Sequence, residues 1–317
     1  MNIEQILKTV QQEVGKVLTG KDRLTEMVMI SLISGGHILL EDVPGTGKTV
    51  MAKTIARLTD GTFKRLQFTP DVLPGDVTGV QFFNPKTREF EMRPGPVMTN
   101  ILLADEINRA TPRTQSSLLE VMEESQVTID GTTLPLPQPF IVIATQNPVE
   151  SQQGTFSLPE AQMDRFLMQI KAGYPTPEEE KAMIRLHKGR QPFEDLKPVI
   201  KTRDLLDMKK QAGAIDIHEP VENYLLNIIQ GTRQSEDTEI GVSPRGTLVF
   251  IRAVQAKALL AGRTYATPDD VKTLAPAVLG HRLVLTLESS MTKTKEEVLA
   301  KVLKDTPAPV EEGYVRK

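Results

Sequence analysis

Three short stretches of the chain carry side chains suited to gripping a polyphosphate and its metal. The first is Glu41-Asp42-Val43-Pro44-Gly45-Thr46-Gly47-Lys48-Thr49. It approaches the pattern G-x-x-x-x-G-K-[ST], with Gly47, Lys48 and Thr49 in place and Asp42 where the first glycine is expected. Gly45 and Gly47 let the backbone curl so that successive N–H groups face an anion. A helix opening at Lys48 aims its positive end at the same point. In this arrangement Lys48 reaches the β- and γ-phosphates and the Thr49 hydroxyl holds Mg²⁺. Pro44, Thr46 and Val50 complete the loop and the first helical turn.

The second stretch, Ile101-Leu102-Leu103-Ala104-Asp105-Glu106, is an apolar run ending in two carboxylates. Ligands of open α/β sheets bind at the carboxyl ends of strands, where this pair would lie. Asp105 suits holding Mg²⁺ through a water, and Glu106 suits a general base for an attacking water. The third stretch, Ala144-Thr145-Gln146-Asn147-Pro148, follows another apolar run and offers a polar amide for that water or the γ-phosphate. Each has a plainer reading: a glycine-rich turn, a solvated strand end, an Asn-Pro turn. Their order along the chain favours the chemical one.

These stretches need strands and helices to hold them. Ile3, Ile6, Leu7, Val10, Val14, Val17 and Leu18 have helical spacing, and Leu24 to Ile33 is a second apolar stretch. Residues 37–40, 63–68, 101–103, 140–144 and 166–170 read as short strands, the apolar ones fully buried, and 48–58 and 112–124 as helices. Strands alternating with helices predict a mostly parallel sheet flanked by helices, an α/β fold. Hairpins are expected near 77–93 and 127–135, the latter turning on Asp130-Gly131. After Gly173 the pattern turns helical, with capped starts at Thr176-Pro177, Ser243-Pro244 and Thr267-Pro268. The expected organisation is a nucleotide-binding core over 1–173, an all-helical domain over 174–304 and a loose tail over 305–317.

Composition narrows the partners. The chain has 317 residues, 39% hydrophobic and 25% charged, with a net charge of −3. Such a chain buries a core and carries no overall excess of positive charge for nucleic acid or an anionic membrane. Without cysteine there is no disulfide, thiol nucleophile or thiolate metal site. The four histidines are scattered and read as surface or capping residues. No run approaches the ~20 apolar residues of a membrane helix. The N-terminus lacks signal-peptide character, so a cytoplasmic location is expected.

The order of these pieces resembles the AAA+ ATPases, and more narrowly the MoxR group. The resemblance rests on Pro44 to Thr49, Asp105-Glu106-Ile107-Asn108-Arg109-Ala110, Ala144 to Pro148, Leu158-Pro159-Glu160-Ala161-Gln162-Met163-Asp164-Arg165-Phe166 and Ser243-Pro244-Arg245-Gly246. It spans about residues 5 to 285 and tolerates Asp42, which is similar to this group's usual loop. It implies ATP with Mg²⁺, a C-terminal helical lid and ATP hydrolysis. It implies that Asn147 is the first sensor, Arg165 the arginine finger reaching a neighbouring subunit, and Arg245 the second sensor. Arg109 and Arg113 stay open as fingers. Gly20 and Lys21 fall where the family lines the adenine pocket. The resemblance also implies a homo-oligomeric ring, usually a hexamer, with a chaperone-like role beside a partner carrying a von Willebrand factor A domain. The other readings are a motor subunit of a metal chelatase, a nucleic-acid remodelling ATPase, a small-molecule kinase and a non-catalytic scaffold. The 4% aromatic content and absence of tryptophan make nucleic acid unlikely.

Overall fold

The computed structural model describes residues 3–42, 45–147, 155–174, 176–186 and 193–309. The chain divides into two compact units, Met1–Lys209 and Lys210–Lys317. In the first, helices α1 (Ile3–Gly15) and α2 (Asp22–Ser34) precede β1 (Ile38–Asp42) and α3 (Lys48–Leu58). Then come β2 (Phe63–Gln67), α4 (Pro74–Thr78), β3 (Gly79–Asn84), β4 (Glu89–Pro94) and β5 (Ile101–Asp105). The unit continues through α5 (Pro112–Glu124), β6 (Gln126–Ile129), β7 (Thr132–Pro135), β8 (Ile141–Gln146), α6 (Glu160–Met163), β9 (Met168–Ala172) and α7 (Pro177–Leu186). Helix α8 (Thr202–Gly213) crosses the boundary between the units.

Five strands form one parallel sheet in the order β2-β5-β8-β1-β9. The apolar runs explain its centre: Ile101 to Ala104 and Ile141 to Ala144 are all at most 2% exposed, as a sheet covered on both faces requires. The pairing of Ala104 with Ala144 sets the carboxyl ends of β5 and β8 side by side. Strand β2 lies at the edge, and its Lys64 and Arg65 face solvent, the usual protection of an unpaired strand. Two antiparallel hairpins, β3–β4 and β6–β7, interrupt the core. Asp130 and Gly131 take φ of 45° and 84°, which suits a tight hairpin turn.

His37 departs from the expectation of a surface residue. It is 6% exposed, accepts from the Val142 N–H at Nδ1 (3.0 Å) and donates from Nε2 to the Met122 carbonyl (3.0 Å). One neutral ring thus joins β1, β8 and α5, satisfying two buried backbone groups. His281 is buried as well.

The change of pattern at Gly173 is not where the packing divides. The Val199 and Ile200 amides donate to the Leu58 carbonyl (2.8 and 3.1 Å), and Arg57 Nε donates to the Leu196 carbonyl (3.0 Å). These bonds fasten the segment before α8 to the end of α3, so the boundary falls at 209/210 rather than 173/174.

The second unit contains α9 (Glu219–Gln234), β10 (Thr238–Ile240), α10 (Pro244–Leu260), α11 (Pro268–Leu279), β11 (Val284–Leu285), α12 (Leu287–Thr292) and α13 (Lys295–Asp305). Ser243 caps α10 through the Gly246 N–H, and Thr267 and Asp270 form a capping box on α11. Arg263 grips the Asp270 carboxylate with two bonds of 2.7 Å. Among its described residues the unit is helical but for the antiparallel pair β10–β11, too short to leave a period in the sequence, and a single bridge between Asp216 and Tyr265.

Candidate functional site

The loop after β1 enters α3 through two glycines in the left-handed region, Gly45 at φ 86° and Gly47 at φ 87°. Other residues adopt that conformation only under strain. Gly47 has a second constraint, because a Cβ there would lie 2.9 Å from Leu18 Cδ2. The first N–H groups of an α-helix lack carbonyl acceptors within the helix, which suits its N-terminus to an anion. Pro44 and Val43 lie outside the described residues, as does Pro148.

Beside this loop is a cavity of about 390 Å³ lined by residues 45–50, Arg65, Asp105, Glu106, Thr145 and Asn147. The three sequence stretches therefore converge in one place. Asp105 and Glu106 come from the end of β5, and Thr145 and Asn147 from the end of β8. Thr145 is 1% exposed and links them: its hydroxyl donates to Asp105 Oδ1 (2.6 Å) and accepts from the Glu106 N–H (2.9 Å). Gln146 Nε2 ties β8 to β1 through Glu41 Oε1 (2.7 Å).

Glu106 has φ 58° and ψ 48°, a left-handed conformation that costs a non-glycine residue about 1 kcal/mol or more. The Thr145 bond helps hold it there. The turn that follows carries Arg109, whose Nε lies 3.0 Å from Glu106 Oε2. Asp105 also pairs with Arg65 on β2, at 2.6 Å.

The donor set fits Mg²⁺. The Thr49 hydroxyl and the Asp105 carboxylate are hard oxygen donors on one cavity. Among the described residues no group of three or more His, Cys, Asp or Glu could hold a metal. Mg²⁺ commonly takes one or two protein oxygens and completes its shell with phosphate and water.

Other predicted residues lie apart from this cavity's lining. Gly20 has φ 70°, and a Cβ there would collide with Glu179 Oε1 at 1.8 Å. Thr19 Oγ1 donates to the Glu179 carbonyl (3.2 Å), so the segment preceding Lys21 packs between the loop and the start of α7. Arg165 donates from Nη1 to the Leu119 carbonyl (2.8 Å). It lines a second cavity of about 260 Å³ with Glu120, Glu123 and Glu124 of α5. Arg113 is exposed in the first turn of α5. Arg245 belongs to the second unit, exposed in the first turn of α10, a position the helix dipole disfavours for a cation.

Neither Arg65 nor Thr145 is marked out by the sequence alone. Thr145 lies within the stretch Ala144 to Pro148, where nothing distinguishes it from its neighbours. Arg65 sits 40 residues from Asp105, on a charged edge strand that reads as ordinary surface. Thr145→Val would keep the shape and remove both hydroxyl bonds. It is expected to lower catalytic turnover about tenfold to a hundredfold while the melting temperature moves by only a few degrees. Turnover within twofold of the parent would show that the threonine does not position the acidic pair.

A family model described as "ATPase family associated with various cellular activities (AAA)" matches residues 37–168, and one described as "AAA lid domain" matches 230–302. Chaperone MoxR1 of Mycobacterium tuberculosis is 43% identical over 94% of this chain and 81% of its own length. YeaC of Bacillus subtilis is 44% identical over 99% of this chain and 98% of its own. A crystal structure of a protein from Cytophaga hutchinsonii, 36% identical, superposes with a TM-score of 0.90 over 97% of this chain and 96% of that one.

Proposed function

Because the chain belongs to the MoxR family of AAA+ ATPases, we propose that it binds ATP with Mg²⁺ in the cavity of about 390 Å³ and hydrolyses it. One observation carries this reading: the loop, the acidic pair and Asn147 line the same cavity. The amides of the Gly45–Gly47 turn and the start of α3 cradle the phosphates, and Lys48 neutralises them. Thr49 and Asp105 would hold Mg²⁺, which supplies charge neutralisation on the phosphate oxygens when bound.

Glu106 accepts a proton from water as the water oxygen bonds to the γ-phosphorus. The bond from that phosphorus to the β,γ-bridging oxygen breaks, leaving ADP and phosphate. Thr145 fixes the carboxylate's approach through the Glu106 backbone. Asn147, 7% exposed at the end of β8, orients the water or the γ-phosphate. Gly20 and Lys21 bound the adenine end, and Pro44 and Val50 the loop.

Arg165 serves the site of a neighbouring subunit, and Arg245 has the part of the second sensor. The chain thus works as a homo-oligomeric ring, a hexamer, in the cytoplasm. It remodels or activates a partner with a von Willebrand factor A domain; the net charge of −3 and the 4% aromatic content argue against a nucleic-acid substrate. Hairpin β3–β4 is the partner-facing element, since Phe82, Phe83 and Phe90 are 42%, 52% and 67% exposed on it. Cross-links from its turn that ignore ATP would count against that role. The central test is calorimetry of Mg–ATP with the purified chain, together with phosphate release in the absence of any acceptor. Binding and release are both expected. No heat of binding, or phosphate appearing only with an added acceptor, would remove the ATPase reading.

A further inference from the structure

Asp105, the carboxylate proposed to hold the metal, has both oxygens engaged. Oδ1 accepts from the Thr145 hydroxyl at 2.6 Å. Oδ2 accepts twice from one guanidinium, from Arg65 Nη2 at 2.6 Å and from Nε at 3.2 Å. The same Nη2 donates to Gln67 Oε1 at 2.6 Å. The Asp105 side chain is 14% exposed and that of Arg65 47%, so the guanidinium covers the carboxylate from the solvent side. Arg65 also lines the phosphate cavity. It is therefore a cation already seated on the carboxylate that a metal, or the water it holds, would use.

We infer that Arg65 is a positioning residue that competes with the divalent cation for Asp105 and so sets how much Mg²⁺ the site requires. The inference rests on the proposed ATPase site. Two cations sharing one carboxylate oxygen repel each other, and each weakens the other's hold. A metal, or a water that it holds, would gain full use of Oδ2 as the guanidinium withdraws. Withdrawal is feasible because Arg65 is half-exposed and Gln67 Oε1 remains as an acceptor on its own strand. In return the guanidinium holds the Asp105 carboxylate in place beside Thr145 before nucleotide arrives.

The test is Mn²⁺ binding followed by electron paramagnetic resonance, with the β,γ-imido analogue of ATP saturating. The full-length parent, Arg65→Met and Arg65→Lys are compared. Arg65→Met is expected to bind Mn²⁺ about fivefold more tightly than the parent, because the competitor is gone. Arg65→Lys keeps the charge and is expected to stay within twofold. A purely structural arginine predicts the opposite sign, since damage to the site weakens metal binding. Equal or weaker Mn²⁺ binding by Arg65→Met overturns the inference while leaving the ATPase reading intact. If Arg65→Met does not fold, Arg65→Gln must give the same tightening. Parent protein that binds no Mn²⁺ with the analogue overturns the ATPase site and this inference together.

Discussion

Replacing Glu106 with glutamine is expected to slow ATP turnover about a thousandfold while leaving nucleotide affinity within a few fold. The substitution keeps size and shape but removes the proton acceptor. Neighbouring geometry limits collateral damage. The Glu106 backbone is held in its left-handed conformation by an N–H bond to Thr145, which glutamine preserves. The ion pair with Arg109 is lost, but both side chains are partly exposed (29% and 39%), and such a pair contributes at most about 1 kcal/mol. Single-turnover phosphate release separates chemistry from binding. Turnover within tenfold of the parent would reassign the base, with Asp105 the next carboxylate on the cavity.

Arg165→Ala is expected to lower turnover about a thousandfold or more, the scale of an arginine finger. Arg165 does not line the phosphate cavity; it lines the second one, beside three glutamates of α5. A trans role gives a sharp consequence. Arg165→Ala and Glu106→Gln chains, each nearly inactive alone, should regain activity when mixed. Some sites in the mixed assembly would then pair an intact Glu106 with a neighbour's intact Arg165. The parent's rate per chain should also rise with protein concentration. No recovery on mixing would pass the finger to Arg109 or Arg113, or make Arg165 structural through its bond to the Leu119 carbonyl. Arg165→Lys restores charge without the planar fork, so it should rescue melting temperature but not turnover.

Much of the fold follows from local pattern. The runs at 101–104 and 141–144 are buried strands, Asp130-Gly131 turns a hairpin, and Thr267-Pro268 opens a helix. The boundary near 173 illustrates the opposite. A switch of period is visible locally, whereas the hydrogen bonds from 199 and 200 to Leu58 join residues about 140 positions apart. His37 is similar: nothing near it in sequence announces the Met122 carbonyl or the Val142 N–H.

For the candidate site the division is equally physical. Gly45, Gly47, Lys48 and Thr49 form a phosphate turn through their own backbone freedom and side chains, so that element is determined by contiguous residues. An apolar strand ending in Asp105-Glu106 is likewise a local statement. That β5 lies between β2 and β8 is not. Strand order and register decide that Thr145 meets Asp105 from one side and Arg65 from the other, each 40 positions away in the chain. Periodicity specifies which face of a strand is buried. Only packing of the whole sheet selects its neighbour, and with it the groups that aim the acidic pair.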